Sequence, residues 1–321
     1  MKKNNLRKRK INWIKIASSI IIIISIGSIY QRIMMNKETQ GFIPKGELYN
    51  INSHDMHLYS TGKGDTTVVF ISGSGTPCAF TDFYYLQRNL QQYAKTISFD
   101  HAGYGWSERT NIPRTVDTLA NELHELLEKS NQSSPYILVG HSLASLEVIR
   151  FAQQYPNEVK GIVLLDGGSP EFYAMESEFK IFLINRITAG LRASGAIRCL
   201  GNLRIILHFT AEELRYSMLP SHLKDIDISM YYNKIGDKSN ISVIRNLNEN
   251  AQTVIDNGSL KDIPLYILSS DSGEEWEEVQ QQMLSWSNIS NQKTIKNAQH
   301  YIHWSNREIV VSKILEMLNI K

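Results

Sequence analysis

Residues 140–144 read Gly-His-Ser-Leu-Ala. They stand between the apolar run Tyr136-Ile-Leu-Val139 and a segment with helical spacing. A serine between small residues at a strand–turn–helix junction carries its hydroxyl on a sharp, exposed turn, where it can attack a carbonyl. Serine is a weak nucleophile by itself. It needs a base within hydrogen-bond reach, a third group to orient that base, and N–H donors aimed at the developing oxyanion. Many strand-end serines have none of these, so the rest of the chain has to supply them.

Candidates for each part are present. Ile71-Ser-Gly-Ser-Gly-Thr-Pro77 is a glycine-rich loop after an apolar strand, so Gly73 and Ser74 are expected to form one side of an oxyanion hole, with the N–H of Leu143 on the other. Of nine histidines, His300 follows the last short strand and precedes the terminal helix, which puts it at the same sheet edge as Ser142. His303 is the second choice. The acid stays open: Asp271 ends the strand Ile263–Ser270 and is the first candidate, Asp166 ends the preceding strand and is the alternative, and Glu274 and Glu275 follow. His-x-x-His occurs at 54/57 and 300/303 without a further ligand cluster, so no metal site and no cofactor is expected.

The elements that must position these groups alternate. Eight apolar or alternating runs read as strands: 46–52, 56–62, 66–72, 94–100, 135–140, 161–166, 264–270 and 292–298. Between them lie helical patterns. The clearest has apolar residues at 116, 119, 120, 123, 126 and 127 behind the capping residue Thr115. Continuous apolar strands alternating with helices predict an α/β fold with a mostly parallel central sheet covered on both faces. Residues 171–255 interrupt the alternation and read as a helical cap over the sheet's C-terminal edge, leaving 47–170 and 256–321 as the core.

The 321-residue chain carries a net charge of +2, but nine Lys and Arg against Glu38 fall in the first 40 residues, so the body is acidic. A nucleic-acid partner therefore lacks electrostatic support. Residues 1–10 form a basic tail, 11–35 an apolar stretch long enough to cross a bilayer, and 36–46 a linker. No clear A-x-A cleavage site and no lipobox cysteine follow the run, which predicts a retained single-pass anchor in the cell membrane. The basic block before the span places the body on the extracytoplasmic side. A cleaved signal peptide, giving a secreted protein, is the alternative. Cys78 and Cys199 form no paired motif.

Taken together, the elbow around Ser142, the segment Phe99-Asp-His-Ala-Gly-Tyr-Gly-Trp-Ser-Glu108, the strand end Gly161–Asp166 and the loop Gln299-His-Tyr-Ile-His-Trp304 resemble the α/β-hydrolase superfamily over residues 47–318. Departures are Ser72-Gly73 where the family usually has His-Gly, Ala144 closing the elbow, Gln299 before the histidine, and an acid spacing that Asp271 misses by two residues. The resemblance implies a serine hydrolase acting through an acyl-enzyme on a small, hydrophobic acyl ester or amide. A serine at the elbow disfavours the dehalogenase branch. The competing expectation is a non-catalytic, membrane-tethered binding or sensing protein on the same fold.

Overall fold

The computed structural model describes residues 2–203 and 212–320. Eight strands form one sheet: β1 (Glu47–Ile51), β2 (His54–Thr61), β3 (Thr67–Ile71), β4 (Lys95–Phe99), β5 (Tyr136–His141), β6 (Val159–Leu165), β7 (Leu265–Ser270) and β8 (Ser290–Ile295). Their order is β1-β2-β4-β3-β5-β6-β7-β8. β1 pairs with β2, and β2 with β4, antiparallel; every other pairing is parallel. All eight expected strands are present. The hairpin between β1 and β2 turns at Asn52 and Ser53, both at positive φ, as a two-residue turn demands.

Strand residues alternate between two cores. Val69, Ile71, Leu138, Ile162 and Leu164 face one side with the helices Val116–Lys129 and Ala144–Gln154. Val68, Phe70, Ile137, Val139 and Val163 face the other with Tyr84–Leu90 and Arg307–Met317. Because both faces are covered, β3 and β5 are buried at every position, and each fully buried large apolar side chain contributes about 1.5–3 kcal/mol. Thr115 caps its helix as predicted, its hydroxyl accepting from the N–H of Thr118 at 3.2 Å.

Between β6 and β7 the described chain is helical, from Pro170–Met175 through Glu178–Ala193, Ala196–Asn202, Glu212–Met218, Ser221–Lys234 and Lys238–Arg245 to Leu247–Asp256. Polar contacts seat this insertion on the loops at the sheet's C-terminal edge. Thr81 donates to Asp227 at 2.6 Å, Ser74 to Asn240 at 2.8 Å, and Arg109 to Asp237 at 2.6 Å. The helix Leu247–Asp256 buries Ala251 and Val254 in the first core. At the other end of the chain, the helix Lys2–Gly41 contains an apolar stretch, Trp13–Gly41, long enough to cross a membrane. Isoleucines 20–24 on it are 49–69% exposed.

Candidate active site

Ser142 sits directly after β5 at φ +55°, in the left-handed region that non-glycine residues avoid. The turn is tight because its neighbours are small. A Cβ at Gly140 would lie 2.7 Å from Val148 Cγ2, so the helix Ala144–Gln154 can rise against the strand only over glycine. Ala144 occupies the place where a second glycine is usual, and its methyl group is accommodated, 5% exposed. The Ser142 N–H donates to the Leu165 carbonyl at 3.0 Å, which ties the elbow to the end of β6.

The structure brings Ser142, His300 and Asp166 into one hydrogen-bonded chain. Ser142 Oγ lies 3.0 Å from His300 Nε2, and His300 Nδ1 lies 2.7 Å from Asp166 Oδ2. The acid beside His300 is thus the alternative of the two strand-end aspartates. Asp271, the first candidate, does not reach the histidine. It is exposed and accepts from the N–H of Asn297 at 2.7 Å. Glu274 and Glu275 lie exposed in the first turn of Glu274–Gln282.

The reason is the turn chemistry at adjacent strand ends. Asp166 adopts φ +51° and is 1% exposed, its carboxylate held by the end of β7. Ser270 donates to it through both its N–H, at 2.7 Å, and its hydroxyl, at 2.9 Å; Trp276 Nε1 donates at 2.8 Å. With His300 that makes four donors to two oxygens, which keeps a buried carboxylate supplied with partners. Ser270 and Trp276 were not singled out in the sequence. Neither residue type marks a second-layer donor until β6 and β7 are known to be neighbours.

His303 is placed elsewhere. It is 2% exposed, and its Nε2 lies 3.0 Å from Asp82 Oδ1, which also accepts from Trp304 Nε1 at 3.1 Å. Burial works to raise the Asp82 pKa, but His303 and Arg215 beside it prevail and hold the carboxyl far below the usual range. Between the two histidines runs His141, whose Nε2 lies 3.1 Å from the His300 carbonyl oxygen. Burial, reinforced by His300 and His303 nearby, pushes the His141 imidazole well below its ordinary pKa, so it stays neutral.

The glycine-rich loop abuts the elbow. A Cβ on Gly73 would lie 2.9 Å from both the His141 carbonyl oxygen and Ser142 Cβ. Gly73, Ser74 and Leu143 line one pocket, roofed by the insertion. Val116, Leu119, Leu146, Val243 and Leu247 make its apolar side. Tyr104, Ser239 and a His101–Glu147 pair, 2.7 Å apart, make a polar side. The lining is mainly apolar, as a hydrophobic acyl group requires; its polar members come from loops and helices whose residues carry no sequence signal for it.

The comparisons with known proteins agree with this fold. The family model described as α/β hydrolase fold matches residues 66–188. The uncharacterized protein YbdG of Bacillus subtilis is 30% identical over 219 residues, covering 68% of this chain and 66% of that protein. Among solved structures, the Cif epoxide hydrolase from Acinetobacter nosocomialis superposes with a TM-score of 0.71 at 15% identity, over 91% of this chain and 96% of that one. The enol-lactonase from Burkholderia xenovorans LB400 superposes with a TM-score of 0.64 at 13% identity, over 85% and 100%. The chain thus has the α/β-hydrolase fold. It spans 66%, 44% and 46% of the lengths of three curated relatives, all uncharacterized proteins.

Proposed function

We propose that this protein is a membrane-tethered serine hydrolase that cleaves a carboxylic ester or amide through an acyl-enzyme on Ser142. The observation that carries the reading is the continuous chain Ser142 Oγ, His300 Nε2, His300 Nδ1, Asp166 Oδ2, with links of 3.0 and 2.7 Å. Ser142 Oγ attacks the acyl carbonyl carbon while His300 Nε2 takes the hydroxyl proton. Asp166 fixes the ring with Nδ1 protonated and stabilises the imidazolium that results. The Leu143 N–H and the Gly73–Ser74 backbone receive the oxyanion. The carbonyl–leaving group bond breaks as His300 returns the proton to the leaving oxygen or nitrogen. Water then repeats the sequence, its proton passing to His300 and the acid departing from Ser142.

The two-sided pocket supports an acyl group with an apolar flank and a polar substituent that meets the His101–Glu147 side. The enol-lactonase similarity fits an ester reading, since a lactone is a cyclic ester. The helix Lys2–Gly41 supports a single-pass anchor, with the body on the extracytoplasmic side. Labelling of the full chain with a fluorophosphonate tests the serine reading. Labelling that is lost in both Ser142→Ala and His300→Ala is expected. A folded wild-type protein that takes up no label overturns the acyl-enzyme and leaves a binding protein on a hydrolase fold.

A further inference from the structure

The helix Lys2–Gly41 does not lead away from the body as a free rod. Its second half lies on the insertion helices Glu178–Ala193 and Ser221–Lys234. The crossing begins at Gly27. A Cβ there would lie 2.2 Å from the Ser194 carbonyl oxygen, and one on Gly195 would lie 2.5 Å from the Gly27 carbonyl oxygen. The two backbones touch at a distance that glycine at both positions permits. Further along, Gln31 donates to the Tyr232 carbonyl at 2.9 Å, and Arg198 donates to Gln31 at 2.8 Å. The Arg198 guanidinium also clasps both oxygens of Glu38, at 2.6 and 2.8 Å. The crossing is therefore a fixed joint.

Its position along the apolar stretch determines its depth. A hydrocarbon layer of about 30 Å takes about 20 helical residues. A span begun at Trp13 ends near Arg32, and one begun as early as Ile11 ends near Tyr30. In either register Gly27 lies inside the layer, about 5–8 Å short of its edge. Whatever touches Gly27 is at acyl-chain depth, and what touches it is the end of Glu178–Ala193 and the start of Ala196–Asn202.

The surface of the insertion around that joint is made for such a position. Phe179, Leu183, Ile184, Ile187 and Leu191 on Glu178–Ala193 are 43–74% exposed. Leu183, Ile187 and Leu191 recur every fourth residue, so they share a face. Lys180 and Arg186 stand exposed on the same helix, able to reach phosphates from a submerged apolar face. We infer that this face of Glu178–Ala193 is seated in the leaflet nearest the body, continuous with the spanning helix, so the insertion itself is part of the membrane contact. Glu178–Ala193 packs on Lys238–Arg245, whose Val243 lines the pocket. The bilayer is then one helix away from the acyl site.

The inference rests on Trp13–Gly41 being a span and not on the chemistry at Ser142. The test uses the full chain in vesicles of phosphatidylcholine with an anionic phospholipid, in a Cys199→Ser background. Cys78 is buried and does not compete for label. A bimane is placed in turn at Ser19→Cys in the span, Ile187→Cys on the proposed face, and Ser133→Cys at the opposite edge of the sheet. Nitroxide-labelled lipid is expected to quench bimane at 19 and 187 strongly and at 133 not at all. Quenching at 19 alone overturns the seated face while leaving the anchor in place. Quenching at none of the three overturns both. Equal quenching at 133 also overturns it, by showing unspecific adsorption. Cross-linking between copies through position 187 without quenching overturns it in favour of a second copy of the chain.

Discussion

Two of the molecule's clusters of charged and polar groups are built differently. At the sheet edge, Asp166 takes four donors, yet its partner His300 has a side chain 41% exposed, and both Ser142 and Asp166 sit at strained positive φ. At the joint with the first helix, Arg198, Glu38, Gln31 and Asn233 all lie on regular helices. Arg198 and Glu38 have side chains only 3% and 10% exposed. The first cluster leaves one group exposed and holds its backbone under strain. The second closes on itself. Strain with an open partner marks a place where a proton can move; saturation on unstrained helices marks an assembly contact.

Substitutions can break that contrast. The largest effect is expected at the open cluster. Asp166→Asn keeps the shape but offers an N–H where His300 needs an acceptor, so kcat/KM on a short ester should fall by roughly 10³–10⁴-fold. Asp271→Asn should leave it unchanged. Steady-state rates of the two variants side by side decide which strand end supplies the acid, and equal losses would remove Asp166 from its role.

The closed cluster should respond in stability and not in chemistry. Arg198→Met leaves the Glu38 carboxylate without its main partner, at a cost of about 3 kcal/mol to the joint. Amide exchange across 27–41 should quicken, while turnover of a soluble short ester stays as in the wild type. A matching loss of turnover would show that the two clusters are coupled.

A smaller effect is expected from His141, which lies beside the open cluster. Its pKa is depressed in the folded chain, whereas an unfolded imidazole binds its proton near 6.5. The unfolded state therefore holds more protons as pH falls below about 6.5, and stability declines there by up to about 1.4 kcal/mol per pH unit. Asp82 acts in a separate window. Its depressed carboxyl contributes stability above about 3.9 that is lost only as pH falls below that value. Urea midpoints between pH 5 and 7.5 should fall toward the acid end in the wild type. They should be flatter in His141→Gln, which lacks the titrating ring.

Much of the fold was legible because strand identity is a local property. Consecutive apolar residues such as Val68–Ile71 or Ile137–Val139 are expected only where both faces are covered, and the alternation with helices then implies a parallel sheet. Ser142 and His300 were legible for a related reason, since an elbow and a histidine loop each announce themselves within a few residues. The acid was not. Asp166 and Asp271 both end strands at the same edge, and choosing between them needs the φ of Asp166 and the Ser270 and Trp276 donors contributed from β7 and the helix after it. The docking of the first helix was equally hidden. The residues that clasp Gln31 and Glu38 lie more than 150 positions away in the chain. The sequence alone determined which segments bury apolar surface and where a strained serine turn can form, because periodicity and small residues act over a few neighbours. Only the tertiary structure decided which carboxylate meets His300 and which helix meets the N-terminal apolar stretch, because those partners are selected by packing across the whole chain.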